Sequence, residues 1–405
     1  MCPNLKQLCN IAASWIVNNL LKYILHKSKQ SHLRIGFDAK RAFNNNTGLG
    51  NYSRFIIRSL LKYSANDQAF LFTPKVEAEW VSLFESDPQI QRILPQTILG
   101  KSFPAAWRSF SLAAELDNYK LDVFHGLSNE LPVGIENFKG KKIVTIHDLI
   151  FLRYPDYYNN IDRFIYTRKF KLACTYADTV IATSGQTKED IVSFFKLDPQ
   201  KVEVIYQNCD NRFDEIVSDE KKFETINQHK LSNNFILCVG TIEQRKNQLT
   251  VLKAFHQAGI KDHKLVFIGR KTAYANLLDE YIKSNGLANS IIFIDYVKSE
   301  ALPAIYQSAK MFVYASEFEG FGIPVVEAFR SKVPVLLANG SSLSEVGGDA
   351  ALYFEPHKVD QLTDLMKDVI SNSNLKLTLI QKATDRLTMF EPELLTKQLM
   401  ATYTK

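Results

Sequence analysis

Glu319 and Glu327 flank a run, Gly320-Phe321-Gly322-Ile323-Pro324, that joins two glycines to a proline. Proline is tolerated in the first turn of a helix, where its missing N–H would be unpaired in any case. The pattern therefore predicts a strand over MFVYAS, a loop carrying Glu319, and a helix with Glu327 in its first turn. Both carboxylates then lie at the carboxyl end of one strand. The backbone at Gly320 and Gly322 leaves N–H groups open to a ligand. Each acid also has an ordinary reading. Glu327 can complement the helix dipole, worth under about 1 kcal/mol, and Glu319 can be a solvated loop acid.

Cations supply the other half of a site. In VGTIEQRKNQ, Gly240 and Thr241 turn the chain after a strand, and Arg245 and Lys246 arrive just before a helix. A helix dipole disfavours positive charge there, so a bound anion would resolve the conflict. A guanidinium grips phosphate with a planar fork, and an ammonium adds a point charge. TGLGNYS puts Gly48 and Gly50 ahead of another helix, where backbone can approach a ligand closely and free N–H groups attract anions. It is a poor dinucleotide fingerprint, because Ser53 holds the third glycine position and no acid closes the next strand. FHGLSN and VTIHDL place His125, and His147 with Asp148, after two further strands, where either imidazole could meet a polar substrate. There is no D-x-D triplet for a metal-bound nucleotide diphosphate, and no G-x-S-x-G, P-loop or H-E-x-x-H motif. Phosphate charge would fall to Arg245, Lys246 and helix N-termini, without a metal.

These residues need a scaffold, and the surrounding pattern describes one. LRIGFDA, AFLFTP, DVFHG, KIVTIHD and TVIATS read as short buried strands, and Tyr52, Ile56 and Leu60 recur at helical spacing between the first two. A second series follows: NFILCVGT, HKLVFIGR, SIIFIDYV, KMFVYASEF and VPVLLANG, with helices QLTVLKAFHQAG and LPAIYQSA between them. Strands alternating with helices predict parallel sheets covered on both faces. The polar stretch around 208–234 lacks a strand pattern and is read as the linker. The chain thus divides into a segment 1–30, a Rossmann-like domain 31–208, a second 209–385, and a last helix 386–405 with Leu395, Leu399 and Tyr403 on one stripe. Ligands of doubly wound sheets bind beyond the carboxyl ends of the strands, so two such domains facing each other would share one cleft.

Composition sets the outer limits. A chain of 405 residues is long for one core and comfortable for two. The net charge of +6 is mild, and no run of about 20 apolar residues predicts a membrane span. Cys2, Cys9, Cys174, Cys209 and Cys238 form no C-x-x-C pair and read as reduced thiols of a cytosolic protein. Residues 1–30 place Leu5, Leu8, Ala12, Trp15 and Ile16 near helical spacing, without the order of a signal peptide. An amphipathic helix on a membrane surface and a helix packed on the domain both fit.

With these motifs the chain resembles the retaining glycosyltransferases of family 4, whose GT-B fold sets two Rossmann-like domains face to face. The resemblance runs through TGLGNYS, VTIHDLIF, VGTIEQRKN, EFEGFGIPVVEAF and SLSEVGGDAALYF. It implies roles for the residues above. Glu319 would bind donor-sugar hydroxyls, Glu327 the ribose, and Arg245 and Lys246 the diphosphate. The backbone of Gly320, Phe321 and Gly322 would add donors, with Gly240 counted among the donor-binding residues. His147 would touch the sugar from the first domain, and Tyr296 and Val297 would meet the base. Gly48 and Gly50 would bring the first domain close to diphosphate and acceptor. The last helix would cross back to the first domain.

IGFDAKRAF, TIHDL and GTIEQRKN look most like bacterial mannosyltransferases of surface-polysaccharide assembly. That implies GDP-mannose as donor, no separate cofactor or metal, and a glycan or lipid-linked glycan as acceptor. It also implies work in the cytoplasm at the inner face of the cell membrane, with a peripheral membrane contact and no nucleic acid partner. A UDP-sugar donor, a sugar-nucleotide epimerase of the same fold, and a glycan-binding protein without activity are the alternatives. The R-K-N element with the paired glutamates argues against the epimerase, and intact Arg245, Lys246 and Glu319 against the binder. The chain also departs from the family pattern. YQNCD replaces an Asn-Gly pair, which predicts a left-handed Asn208. Lys332 stands at a usual glycine, Ala315 at a frequent proline and Glu391 at a frequent tryptophan.

Overall fold

Short aliphatic and aromatic runs, buried on both faces, pair into two all-parallel sheets. The structure is a computed structural model and describes residues 32–64 and 66–405. The segment 1–30, with Cys2 and Cys9, lies outside the described residues.

The first sheet holds β1 (Arg34–Asp38), β2 (Gln68–Phe72), β3 (Ile90–Ile93), β4 (Val123–Gly126), β5 (Lys141–Ile146), β6 (Thr179–Ala182) and β7 (Val202–Val204). The second holds β8 (Phe235–Val239), β9 (Lys264–Ile268), β10 (Ile291–Ile294), β11 (Met311–Tyr314), β12 (Val335–Ala338) and β13 (Ala351–Phe354). The orders are β3-β2-β1-β4-β5-β6-β7 and β10-β9-β8-β11-β12-β13. Both are doubly wound, and each reverses direction once: between β1 and β4, and between β8 and β11. Parallel pairs need crossovers, and helices supply most of them on both faces.

Each domain has its own core. Phe70, Phe124, Val144 and Val180 centre one side of the first sheet, and Ile35, Phe37, Leu71 and Ile181 the other. The polar stretch after β7 has no strand but holds the helix Asp219–Gln228, whose Ile226 joins the core of the second domain. The last helix, Pro392–Thr404, buries Leu395, Leu399 and Tyr403 against the first domain instead. Among the described residues no helix is long and apolar enough to cross a membrane.

Two of the family departures have visible consequences. Lys332 takes a left-handed φ of 57°, the conformation the usual glycine would adopt freely. Asn208, against expectation, has no left-handed φ. Its Oδ1 instead accepts hydrogen bonds from the Cys209 N–H at 2.8 Å and Arg330 Nε at 3.2 Å, so the side chain holds the turn that a glycine would make with backbone alone.

Candidate active site

One cluster of sequence candidates is assembled where the second sheet reverses, at the ends of β8 and β11. After β8, Gly240 takes φ +138°. A single 3-10 turn, Gln244–Lys246, follows, and then Asn247 at φ +53° opens the helix Gln248–Ala258. Asparagine tolerates the left-handed region because its short side chain bonds locally, and here Oδ1 accepts from Thr250 Oγ1 at 2.8 Å. The R-K-N motif is therefore a turn that folds two cations back over the sheet edge. Arg245 donates to the Phe318 carbonyl at 2.6 Å, to Glu319 Oε1 at 2.9 Å and to Glu243 Oε1 at 2.7 Å. Lys246 Nζ donates to Tyr314 Oη at 2.6 Å and to Glu319 Oε1. Tyr314, the last residue of β11, donates to the same carboxylate oxygen at 3.0 Å.

All three charged groups are largely buried. Burial would raise the Glu319 carboxyl, but Arg245 and Lys246 overcome it and hold the group down at about 2. Glu319 is thus ionised at every pH of interest. Burial pulls the Lys246 ammonium down, and Glu319 pulls it back up. Arg245 and Lys246 are thus held by Glu319, with Glu243 also on Arg245, so that two cations converge on one carboxylate oxygen in a largely buried cluster.

The loop that carries Glu319 is clamped between the domains. A Cβ at Gly320 would lie 2.0 Å from the His147 carbonyl oxygen, so only glycine permits the approach. The Gly320 carbonyl accepts from Ser184 Oγ at 2.7 Å and Thr187 Oγ1 at 3.2 Å of the first domain. From the second domain, Glu345 accepts from the Gly185 N–H at 2.8 Å and the Gln186 N–H at 3.4 Å, at the start of the helix Gly185–Phe195. Asp148, beside Gly320, lies within the fields of Arg245, Glu319 and Lys246, and burial raises its carboxyl.

Gly320→Ala is expected to part this contact, because the obstructing atom is backbone and has no rotamer to escape into. Overpacking of this kind costs about 1–3 kcal/mol. A lower thermal midpoint and faster limited proteolysis between the domains should report it. Unchanged stability would mean that the loop is not held where the structure puts it.

The N–H groups of Gly320, Phe321 and Gly322 find no acceptor among the described residues. They point from a loop into the start of the helix Ile323–Arg330, whose N-cap Gly322 takes φ +113° and whose second residue is Pro324. The structure corrects the position of Glu327. It is the fifth residue of that helix, past the first turn, and is 9% exposed. Dipole complementation is therefore not its role. Its carboxylate accepts from Tyr306 Oη at 2.8 Å, and burial raises it to about 7. A raised carboxyl favours folding while protonated. Its contribution is full below the ordinary value of 4.5 and is lost as pH rises through about 7. Glu327→Gln should therefore melt higher than the wild type above neutrality and at nearly the same temperature in mild acid. The gain expected is roughly 2–4 °C for each kcal/mol recovered. Parallel melting curves at both pH values would show that Glu327 is not strained by burial.

The remaining sequence candidates are less uniform. Gly48 opens the helix Gly48–Tyr63, and a Cβ there would come 3.8 Å from Ile323 of the second domain, so it does face that domain. Gly50 does not line a ligand. A Cβ there would meet the Asn45 carbonyl oxygen at 1.8 Å, which makes it a packing glycine inside the first helical turns. His147 is buried and both its nitrogens are engaged. Nε2 donates to the Leu127 carbonyl at 2.9 Å and Nδ1 faces Gln207 Nε2 at 3.5 Å, while burial lowers its pKa to about 4. Contact with a sugar requires the longer of these to give way. His125 is a core residue, bonded to Tyr403 Oη at 2.7 Å and Thr145 Oγ1 at 2.8 Å. Tyr296 is exposed, but Val297 and the Phe321 side chain belong to the core of the second domain, so only their backbones can serve a ligand.

Sequence reading passed over Tyr314, Ser184 and Glu345. Tyr314 had a usable signal, being the last residue of a strand beside the switch point. The other two act across the domain boundary and had none. Among the described residues no group of three or more His, Cys, Asp or Glu is placed to hold a metal.

Two facing doubly wound domains, with cations, an acid and open amides gathered at one carboxyl edge, define a GT-B architecture. Residues 48–210 match the model of Glycosyltransferase Family 4, and residues 219–386 that of Glycosyl transferases group 1. The chain therefore belongs to these glycosyltransferases. O-antigen chain mannosyltransferase B of Escherichia coli is 26% identical over 330 residues, 78% of this chain and 85% of that protein. RfbU of Salmonella typhimurium, an O-antigen chain mannosyltransferase, is 27% identical over 56% of this chain and 60% of its own length. The serotype-specific mannosyltransferase WbdA of Escherichia coli is 27% identical over 63% of this chain, which spans only 32% of WbdA. Among solved structures, sucrose-phosphate synthase from Thermosynechococcus elongatus superposes with a TM-score of 0.73 at 19% identity, over 92% of this chain and 98% of that one. Anabaena HepE in complex with UDP and glucose gives 0.72 at 18%, over 92% and 100%. At such identities the likeness is one of fold.

Proposed function

We propose that this glycosyltransferase moves mannose from GDP-mannose to a glycan or lipid-linked glycan, with retention of anomeric configuration and without a metal. The observation that carries the reading is the convergence of Arg245 and Lys246 on Glu319, beside three backbone N–H groups without a protein acceptor. Breaking a sugar–phosphate bond builds negative charge on the diphosphate and positive charge at the anomeric carbon. Arg245, Lys246 and the amides of residues 320–322 would receive the first. Preorganised donors of this kind are worth roughly 3–4 kcal/mol each when removed singly. They would also supply the counter-charge that a metal would otherwise bring to the diphosphate.

Glu319 would orient the sugar hydroxyls, and Glu327 the ribose. Attack from the face the diphosphate leaves lets a departing phosphate oxygen take the acceptor's proton. No dedicated base is then needed, which accords with a His147 whose nitrogens are already engaged. The mannosyl choice is supported by the names of the relatives above.

Incubation with a panel of GDP- and UDP-sugars, following nucleoside diphosphate release, tests the reading. GDP-mannose should be hydrolysed fastest, with no loss in the presence of a chelator, and the product should carry the donor's anomeric configuration. A preferred UDP-sugar would overturn the donor, and a chelator-sensitive rate the metal-free chemistry.

A further inference from the structure

β6 ends at Ala182, and the run Thr183-Ser184-Gly185-Gln186-Thr187 turns the chain into the helix Gly185–Phe195. Serine is a strong N-cap, and Ser184 Oγ accepts from the Thr187 N–H at 3.0 Å. That capping bond gathers the hydroxyls of Thr183, Ser184 and Thr187 into one cluster. All three residues are at most 1% exposed, and their hydroxyls face the second domain.

Two backbone carbonyls share the cluster, one from each domain. Gly320 O accepts from Ser184 Oγ at 2.7 Å, from Thr187 Oγ1 at 3.2 Å and from Thr183 Oγ1 at 3.3 Å. His147 O accepts from Thr183 Oγ1 at 2.9 Å and from Thr187 Oγ1 at 3.2 Å. Each hydroxyl has one hydrogen to give. The shortest contacts assign Ser184 to Gly320 and Thr183 to His147, and Thr187, equidistant from both, can serve either.

Across the peptide bond from the Gly320 carbonyl is the Phe321 N–H. The described residues contain no cis peptide, so this N–H points away from the hydroxyls. It finds no acceptor among the described residues. Glycines at 320 and 322 give the surrounding backbone unusual freedom to rotate. A rotated Gly320–Phe321 peptide would aim a carbonyl where the N–H now stands, and the site would lose a donor. The hydroxyls oppose that rotation, because the closest acceptor for the Ser184 hydrogen is the Gly320 carbonyl. Bonds accepted at that oxygen also polarise the peptide and strengthen its N–H as a donor.

We propose that Thr183, Ser184 and Thr187 are positioning residues that lock the Gly320–Phe321 peptide with its N–H toward the donor diphosphate. The assignment rests on the transferase reading, which gives the Phe321 amide its ligand. Arg245, Lys246 and Glu319 belong wholly to the second domain, whereas the aim of this amide depends on the first. Contact between the domains then completes the anion site as well as enclosing it.

The Gly-Phe pair occurs twice in the chain, at Gly36–Phe37 and Gly320–Phe321. Pairing carbonyl-labelled glycine with nitrogen-labelled phenylalanine therefore gives two magnetic resonance signals, and the one from β1 is the internal reference. Two variants remove a hydroxyl while sparing the fold: Thr187→Val is close to isosteric, and Ser184→Gly keeps a tolerated N-cap. In each, the Gly320–Phe321 signal should shift and the Gly36–Phe37 signal should not. Donor turnover at saturation should fall by about tenfold in each, less than outright loss of such a donor costs. Thr187→Ser should restore what Thr187→Val loses. An unmoved Gly320–Phe321 signal overturns the proposal, even if turnover falls, because the hydroxyls would then only fasten the domains together. A wild type that releases nucleoside diphosphate from no sugar nucleotide overturns the transferase reading, and this role with it. A wild type that does so, with variants that match its rate, overturns the positioning alone.

Discussion

A Lys246→Ala protein should turn over its donor about a hundredfold or more slowly than the wild type, with its fold intact. The intact fold follows from the arrangement of charge. Removing the ammonium leaves Glu319 still paired with Arg245 at 2.9 Å and still accepting from Tyr314 at 3.0 Å. No buried carboxylate is stranded, so the usual large penalty for breaking a buried pair does not apply. The rate loss follows from chemistry. The departing diphosphate gains charge as the sugar bond breaks, and one fixed cation is no longer there to meet it. Turnover at saturating donor and a thermal melt on the same sample measure the two halves separately. A rate within a few-fold of the wild type would remove Lys246 from the mechanism.

Glu319→Gln should move two readouts in opposite directions. In the free protein Glu319 occupies both cations and stays ionised down to about pH 2. It therefore competes with any diphosphate for Arg245 and Lys246, and like charge between the two acids disfavours the complex. Glutamine keeps the shape and removes the charge. Nucleoside diphosphate should bind the variant several-fold more tightly, while turnover falls by about a hundredfold because the sugar loses its ionised hydroxyl acceptor. Calorimetry with GDP and steady-state rates test this pair of effects. Weaker GDP binding in the variant would show that Glu319 assists the diphosphate, not the sugar.

Much of this site was legible because its parts are local. The strand before each motif is a short apolar run, and the R-K-N turn and the Gly322–Pro324 helix start follow from what Asn, Gly and Pro do to backbone. That Arg245 and Lys246 meet Glu319 follows only from strand order, since β8 and β11 become neighbours at the reversal of a doubly wound sheet. Edge strands were harder. β3 alternates half-exposed residues and β7 is three residues long, so neither gives a strong period-two signal. Glu327 was placed one turn too early because Gly322 in the left-handed region starts the helix at Ile323. Gly50 resembled a ligand-loop glycine, but the neighbour that excludes a side chain is the Asn45 carbonyl. His125 could not be read at all, because its partner Tyr403 arrives from the far end of the chain.

The most direct measurement is a crystal structure with GDP bound. Its diphosphate oxygens should lie about 3 Å from Arg245, Lys246 and the N–H groups of residues 320–322, with the ribose against Glu327. A diphosphate seated elsewhere, with Arg245 and Lys246 still closed on Glu319, would contradict the assignment of these cations to the leaving group.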